Sequence, residues 1–346
     1  MKDVAGNSMG MIFEQSASKQ ALVRKSEELI TIAFIERRIC PLLRPGIKVS
    51  ASDCITKIVR NNGTGRLTIQ YSFDSDVVVY AKLYDNELGV YSYKVNQSLW
   101  ENGFNEAGRF RVPQPLGFLD DYALLVMLGV QGTSLGVAFD SDSSIDLVAG
   151  SYAAAEWLAT LHLSIHRAGV PERNLESLKQ CWATDLVMKA ISVRPDKADM
   201  IRELIELLER CTAKLPSNHG LVLTHGRYHH DHVFLSTEAT SVIDLDRCRP
   251  SNPAKDVAEF IRLMRLSAFT NNLNIQKVEL AISQFLSYYM ARLPHVAECL
   301  GCYLAAFSLH SLLCGLKQRS NIENKGWKHI EEFHVGEIQR ALKFRI

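Results

Sequence analysis

Imidazole and carboxylate side chains are concentrated in one stretch of the 346-residue chain, residues 221–246. The stretch begins with a histidine-rich segment and ends with two aspartates. Its members are His225, His229, His230, Asp231, His232, Asp244 and Asp246. Imidazoles and carboxylates bind metal ions and transfer protons in proteins. The sequence therefore places its candidate catalytic or metal centre here.

Two short apolar segments, joined by a polar turn at residues 236–240, separate the histidines from the aspartates. This pattern predicts two β-strands paired as a hairpin. The pairing would carry the acidic end at Asp244 back toward the histidine-rich end. We therefore expect carboxylates and imidazoles to meet.

The order of these residues resembles the aminoglycoside phosphotransferase and choline kinase family, whose members are small-molecule relatives of protein kinases. The family loop reads H-G-D-x-x-x-x-N, and a D-x-D motif follows it. His225 and Gly226 match the start of the loop, His229 matches a common family histidine, and Asp244 matches the metal-holding aspartate.

The resemblance implies a bilobal protein-kinase-like α+β fold, with a small β-rich N-lobe and a larger helical C-lobe that contains an embedded β-hairpin. It also implies ATP or another nucleoside triphosphate as the phosphate donor, Mg²⁺ or Mn²⁺ as the cation, and a small-molecule substrate with a hydroxyl group as the acceptor. The predicted function is therefore that of an ATP-dependent phosphotransferase.

Arg227 stands where the family has its catalytic aspartate. A guanidinium offers five donors and no acceptor, so it cannot take the proton of an attacking hydroxyl. Arg227 would instead bind a phosphate or neutralise Asp244 or Asp231. A modest base would then come from Asp231 or a neutral His229. The predicted catalytic residues are Arg227, His229 and Asp231.

His232 stands where the family has its metal-binding asparagine. Mg²⁺ prefers oxygen ligands, whereas imidazole suits transition metals. Three interpretations are open: the cation is held through Asp244 and water alone, the metal preference has changed, or His232 hydrogen-bonds Asp244 without any metal. The predicted metal ligands are Asp244, Asp246 and His232.

The first half of the chain contains features of a nucleotide site. Lys82 closes an apolar strand, where its compact charge would neutralise phosphates. Gly63 and Gly65 lie in a glycine turn that would either cover phosphates or simply close a hairpin. Met127 and Gly129 lie in a segment that resembles the family hinge, where backbone groups meet the adenine ring.

Three further residues have supporting roles in relatives. The usual glutamate partner of the lysine is missing from residues 91–100. Glu87 and Glu101 flank this stretch, and Glu87 is the expected partner. His162 is expected to be a packing residue. Asp256 is expected to be structural, because relatives use an aspartate at this position to steady the catalytic loop.

Periodicity gives the order of elements. An amphipathic helix is predicted over 21–43, a hairpin over 55–73, a strand over 77–84, a helix over 87–102 and a strand over 122–127. Long helices are predicted over 148–168, 200–215, 257–266, 276–293, 299–316 and 329–344. We divide the chain into an N-terminal extension (1–54), an N-lobe (55–128) and a C-lobe (129–346) whose catalytic-type loop spans 224–246.

The composition is that of an ordinary globular protein, with 22% charged residues and a formal net charge of +1. It gives no indication of a nucleic acid partner. Eight scattered cysteines are expected to be reduced thiols of a cytoplasmic protein, with Cys299 and Cys302 packed in the core. The apolar run 303–316 falls short of the ~20 residues of a membrane span, so no membrane association is expected. The sequence does not predict the oligomeric state.

Two alternatives remain open. The motif also approximates the H-x-H-x-D-H signature of zinc-dependent metallo-β-lactamase-like hydrolases. The same kinase-like fold could also serve as a catalytically impaired binding module, a pseudokinase. The acceptor is undetermined: Asp140, Asp142 and Asp146 would suit a cationic substrate such as an aminoglycoside, and sugars or amino alcohols remain equally open.

Overall fold

The computed structural model describes residues 27–44, 47–61, 67–74, 76–84, 87–140, 143–164, 178–215, 220–318 and 325–343. The predicted glycine turn with Gly63 and Gly65, and Asp142 of the acidic loop, lie outside these residues. The described chain divides into two compact units. Of the residues just given, those up to 131 and those from 241 to 246 form the first unit, and the others form the second.

The strands are β1 (Ile55–Asn61), β2 (Leu67–Ser72), β3 (Val78–Leu83), β4 (Phe110–Arg111), β5 (Pro115–Leu119), β6 (Leu124–Leu128), β7 (Thr133–Ser134), β8 (Val222–Thr224), β9 (Val233–Leu235), β10 (Thr240–Val242) and β11 (Arg249–Ser251). The helices of ten residues or more are α1 (Leu88–Glu101), α2 (Leu147–Leu163), α3 (Thr184–Val193), α4 (Ala198–Thr212), α5 (Ala254–Thr270), α6 (Ile275–Met290), α7 (Ala297–Leu316) and α8 (Lys325–Lys343).

The first unit is built on an antiparallel sheet with the order β1-β2-β3-β6-β5. Alternation of side chains along β3 buries Val79, Ala81 and Leu83 in the core. Because successive side chains point to opposite faces of a sheet, Lys82 lies on the other face. The alternation thus presents its ammonium group away from the apolar core.

A single helix was predicted over 21–43. Residues 21–26 lie outside the described residues, and the remainder departs from the prediction. A short α-helix (Ile32–Phe34) continues as a π-helical turn (Ile35–Ile39) and then as a 3₁₀ turn (Cys40–Leu42). Pro41 lacks the N–H that would continue an α-helix, which accounts for the break. Ile35 and Ile39 are nevertheless buried in the core of the sheet.

The second unit is mainly helical, and α7 packs against α4, α5 and α8 in it. Its core contains Ala305, Leu309, Leu312 and Leu316 from α7. The polar turn after β9 is closed by a hydrogen bond from the Ser236 N–H to the Ala239 carbonyl. The predicted long helices are present with shifted ends, whereas α3 (Thr184–Val193) was not predicted. For example, α2 ends at Leu163 rather than at residue 168.

Two cysteines contradict the expectation of reduced thiols. Cys211 on α4 and Cys302 on α7 form a disulfide, with their Cα atoms 6.3 Å apart. The packing of α4 on α7 brings these residues within bridging distance, although 91 positions separate them in the sequence. Cys299 is a buried thiol, as expected. The disulfide removes one premise of the cytoplasmic prediction.

The apolar run 303–316 is part of a longer helical stretch, which the structure gives as Pro294–Leu316. Among the described residues, the stretch Pro294–Leu316 has the length and composition of a membrane span. However, 56% of its apolar window is buried inside the protein. Core helices of globular proteins pass the same test, so its length is weak evidence for a membrane.

Candidate active site

The ammonium group of Lys82 is enclosed by two carboxylates of the same compact unit. Lys82 Nζ donates to Asp244 Oδ1 at 2.6 Å and to Asp246 Oδ1 at 3.5 Å. Burial opposes the charge, but the carboxylates of Asp246 and Asp244 raise the pKa of Lys82 above its ordinary value. Lys82 is therefore a fixed cation, as phosphate binding requires.

Asp246 also anchors the helix that follows the strand. Its Oδ1 accepts hydrogen bonds from Tyr84 Oη at 2.7 Å and from Ser92 Oγ on α1 at 3.2 Å. This contact explains why α1 needs no acid, because Asp246 supplies the carboxylate that orients Lys82. Glu87 is exposed and forms no ion pair with Lys82 in the described chain. We call Lys82, Tyr84, Ser92, Asp244 and Asp246 the lysine cluster.

The backbone at Asp244 has a special conformation. Its φ of +69° lies in the left-handed region that most side chains avoid and that aspartate and asparagine tolerate. Asp244 lies two positions before Asp246 in the chain, and Lys82 contacts the carboxylates of both residues.

A separate loop, residues 225–232 of the second unit, holds the imidazoles, and we call it the histidine turn. It begins where β8 pairs with β11, with Thr224 opposite Arg249. Continuing this register brings Gly226 against Arg247. Gly226 has φ +83°, and a methyl group there would overlap the Arg247 carbonyl oxygen. Only glycine fits this position.

Asp256 on α5 fixes the backbone of the histidine turn. Its two oxygens accept the N–H groups of His225 at 2.6 Å and Gly226 at 2.8 Å. His162 Nε2 lies 3.1 Å from the same carboxylate, and His162 Nδ1 lies 2.5 Å from Tyr289 Oη. Burial would raise the pKa of Asp256, but its hydrogen bond to His162 and the charges nearby hold it below the usual range. Asp256 and His162 are thus structural, as expected.

His229 is held in one tautomer. Its Nδ1 accepts the backbone N–H of Asp231 at 3.0 Å. A backbone N–H can only donate, so the proton of the neutral ring must lie on Nε2. Burial lowers the pKa of His229 to about 4, which keeps the ring neutral at pH 7. In this state His229 has no lone pair left to act as a base.

The carboxylate of Asp231 lies over Gly136. A methyl group at Gly136 would overlap Asp231 Oδ1, and the Asp231 carbonyl accepts from Ser134 Oγ at 3.0 Å. Partial burial raises the pKa of Asp231. With 61% of its side chain exposed, Asp231 remains accessible to a substrate.

His230 completes the turn from the buried side. Its ring lies against Phe139 and its Nε2 is 3.1 Å from Ser267 Oγ. Burial lowers the pKa of His230 well below its ordinary value. His229, His230 and Asp231 offer one ligand atom each, all within 4.8 Å of one another. The sequence predicted His232 rather than His230 as a ligand. The ring of His232 stacks near those of His225 and His229.

Arg227 points outward from the turn. The next residue, Tyr228, is buried against Trp157 and donates to the Ala154 carbonyl, so Arg227 is exposed. Within the described residues Arg227 forms no ion pair, so the predicted neutralisation of Asp244 or Asp231 does not occur as a salt bridge. Arg227 instead lines a cavity together with Arg247, Lys255 and other residues.

The remaining predicted residues are spread over both units. Met127 is buried on β6, in a small apolar cluster with Tyr84 and Leu125. The N–H of Gly129 donates to the Val78 carbonyl at 2.7 Å, so that donor is already used within the protein. Asp146 caps α2 through the N–H groups of the first turn, which gives its carboxylate a structural role.

Of the three predicted metal ligands, only some suit a divalent cation. Mg²⁺ is usually held by one or two carboxylates together with phosphate oxygens and water. Asp244 offers a suitable carboxylate. Oδ1 of Asp246 already accepts from Lys82, Tyr84 and Ser92. His232 offers only nitrogen, which Mg²⁺ does not favour. Asp244 is therefore the residue that fits a magnesium ion best.

Comparisons with known proteins agree with the fold. Residues 94–279 match the family model described as the phosphotransferase enzyme family. No curated protein sequence matches the chain. Three solved structures illustrate the similarity, and in each case the match covers 96% of the solved chain. A choline/ethanolamine kinase family protein from Mesorhizobium loti is 14% identical over 93% of this chain, with a TM-score of 0.58. Amicoumacin kinase hAmiN is 11% identical over 91%, with a TM-score of 0.60. Aminoglycoside 2'-phosphotransferase-IIIa is 16% identical over 89%, with a TM-score of 0.56.

These similarities establish the bilobal kinase-like α+β fold. The β-rich N-terminal part and the mainly helical C-terminal part both agree with it. The alternative of a metallo-β-lactamase-like hydrolase is therefore wrong as a fold.

Proposed function

Because the chain belongs to the phosphotransferase enzyme family, we propose that it transfers a phosphoryl group from ATP or another nucleoside triphosphate to a hydroxyl of a small polar molecule. The lysine cluster is the observation that carries this proposal. A strand lysine with a carboxylate partner, together with an aspartate that can hold the cation, are the parts that bind nucleotide phosphates in kinases. Here Lys82 contacts both aspartates of the D-x-D motif, Asp244 and Asp246.

Each member of the lysine cluster has a distinct role in the proposal. Lys82 would contact the phosphates, because its charge is fixed and the carboxylates of Asp244 and Asp246 set its position. Asp244 would hold Mg²⁺ or Mn²⁺, and such an ion would neutralise charge on the phosphates when bound. Asp246 would position Lys82 and α1 rather than touch the nucleotide.

The base for the acceptor hydroxyl would be Asp231. Arg227 cannot accept a proton, and the tautomer of His229 leaves its ring without a lone pair. Asp231 carries an exposed carboxylate whose raised pKa makes it a better base than an ordinary aspartate. His229 would then orient Asp231 by accepting its backbone N–H.

One observation favours a second candidate, the catalytically impaired binding module. Arg227 replaces the aspartate that activates the hydroxyl in relatives, and losing a well-placed base costs about 10²–10⁴-fold in rate. Such a protein would bind nucleotide through the same lysine cluster without measurable transfer.

Nucleotide consumption tests the proposal. Purified protein is incubated with ATP or GTP, Mg²⁺ or Mn²⁺, and a panel of sugars, amino alcohols and hydroxy acids. We expect turnover in wild type and its loss in Lys82→Met. Lys94→Met, an exposed lysine on α1, serves as the matched control and should retain activity. Nucleotide binding without any turnover would favour the binding module, and the absence of nucleotide binding would refute both.

A further inference from the structure

A cavity of about 210 Å³ lies within the second unit, beside the histidine turn. Gly226 and Arg227 of the turn form part of its lining. The other lining residues come from the segment before α3, from β11 and its preceding residues, and from α5 and α7. All lie in one compact unit, so the cavity is a property of that unit alone.

The charge of the lining is strongly unbalanced. Four side chains are basic and one is acidic: Arg227, Arg247, Lys255 and Arg262 against Glu259. Glu259 is already paired with Arg262, at 3.1 Å between Oε1 and Nη2. The lining residues therefore carry more positive than negative formal charge.

The strand register explains why two arginines meet at the cavity. The pairing of β8 with β11 holds Gly226 against the backbone of Arg247, so the residues beside this contact share one opening. Both Arg227 and Arg247 are exposed, and neither forms an ion pair with any residue that the structure describes. Two exposed guanidinium groups that line one cavity favour the entry of an anion.

The face of α5 extends the basic surface. Lys255, Glu259 and Arg262 recur at helical spacing and all reach the cavity. The charge of Lys255 also acts on the buried carboxylate of Asp256. Arg262 is mostly buried and donates to Ser311 Oγ at 3.0 Å, which fixes its position.

The opposite wall is partly apolar. Tyr303 and Phe307 lie one helical turn apart on α7, with ring centroids 6.0 Å apart. The volume is below the roughly 300–1,000 Å³ of sites for drug-sized ligands. One small ring or a short chain is the size that fits.

We infer that this cavity binds the phosphate acceptor, and that the acceptor is a small hydroxylated molecule carrying a carboxylate or phosphate group. Guanidinium groups recognise both anions through paired hydrogen bonds. This inference rests on the proposed function, because it takes the cavity beside the histidine turn as the acceptor site. It replaces the cationic acceptor that the acidic residues 140–146 suggested.

Matched sugar probes test the charge preference on the full-length protein without nucleotide. Gluconate, glucose and glucosamine differ mainly in charge, glucose 6-phosphate supplies the phosphate ester, and inorganic phosphate supplies the anion alone. Calorimetric titration gives each Kd. We expect gluconate or glucose 6-phosphate to bind at least about tenfold more tightly than glucose or glucosamine.

Substitutions locate the binding. Arg247→Gln should weaken the anionic probe about tenfold, and Arg247→Lys should retain part of the affinity because the charge remains. Arg210→Gln, an exposed arginine on α4 outside the cavity lining, is the matched control and should leave the Kd unchanged.

Several outcomes would overturn the inference: glucosamine binding as tightly as the anions, anion binding insensitive to Arg247→Gln, or no anionic probe binding at millimolar concentration. Inorganic phosphate binding as tightly as glucose 6-phosphate would refute the hydroxylated ligand. A parallel ATP titration separates the two proposals. Anion binding without nucleotide binding would refute the proposed function and leave the cavity as an anion site only. Nucleotide binding without anion binding would refute the cavity assignment and leave the proposed function standing.

Discussion

The lysine cluster and the histidine turn have diverged to different extents from the kinase pattern. In the lysine cluster the cation, the D-x-D carboxylate and the helix contact are all retained, although Asp246 replaces the helix acid. In the histidine turn the backbone is retained while its functional side chains have changed. Asp256 explains the difference, because it binds the N–H groups of His225 and Gly226 and not their side chains.

This contrast shows what a catalytic loop can lose without losing its shape. Residues 227 and 229–232 do not hold the turn through their own side-chain charges, since Tyr228 and Asp256 anchor it from inside. Substitution at position 227 therefore changes the chemistry of the loop and not its conformation. The lysine cluster has no such freedom, because each of its side chains is bound to another.

The largest expected effect concerns Asp244→Asn. Asparagine tolerates the left-handed backbone, so the fold should be kept while the carboxylate is lost. We expect kcat to fall by about 10³-fold, as for the loss of a preorganised charge at a reacting phosphate. Steady-state kinetics beside Asp246→Asn test the division of roles, since that variant should mainly lower the Tm. Equal kcat losses with unchanged Tm in both variants would contradict it.

The next effect is the response to acid. The pKa of His229 is lowered in the folded protein to about 4, from about 6.5 when unfolded. The stability it supports is complete above pH 6.5 and is lost as the pH falls toward 4, by up to about 3 kcal/mol. Lys82 behaves oppositely: its pKa is raised, so its contribution is lost only as the pH rises above its unfolded value near 10.5.

Chemical denaturation between pH 4 and 7 checks this expectation. His229→Gln should reduce the slope of the profile, and His329→Gln, at an exposed position on α8, should leave it unchanged. A flat profile in wild type would mean that His229 is not held neutral by burial.

A smaller effect distinguishes the two candidate bases. Asp231→Asn should reduce kcat by about 10²-fold, near the lower end of the range for a lost general base. His229→Gln should stay within about tenfold, because the ring only orients Asp231 in this account. The opposite ranking of kcat values would assign the base to His229.

The smallest effect is a gain. Arg227→Asp restores the acid of the family loop on a backbone that Asp256 already holds, so kcat should rise by about tenfold. KM for an anionic acceptor should rise as well, since a cation of the cavity is removed. Arg227→Asn removes the same charge without adding a strong acceptor and should not raise kcat. A fall of kcat in Arg227→Asp would show that Arg227 takes part in catalysis.

Sequence patterns predicted much of the scaffold. The apolar run over 77–82 indicated the strand that carries Lys82. The resemblance of the D-x-D motif to the family placed Asp244 beneath Lys82, and the two side chains lie 2.6 Å apart. Those features are local, or belong to one motif. The order of the long helices and of the first three strands followed from periodicity, whereas α3 and the two-residue and three-residue strands β7 and β11 did not.

Other features were beyond local patterns. The contact of α1 with Asp246 joins residues more than 150 positions apart in the sequence. The only sequence signal for this contact was that Lys82 and Tyr84, two positions apart, lie on the same face of the sheet. The disulfide between Cys211 and Cys302 depends on helix packing. The basic cavity depends on how β8 pairs with β11. Each of these strands has only three residues, which is too short for the sequence to specify their register.

Titration of a non-hydrolysable ATP analogue in the presence of Mg²⁺ tests the central claim most directly, because it depends on the lysine cluster and not on the altered turn. The account predicts one binding site per chain in wild type, also in Arg227→Asp, and its loss in Lys82→Met. Absence of binding in wild type, or binding that Lys82→Met leaves unchanged, would contradict it.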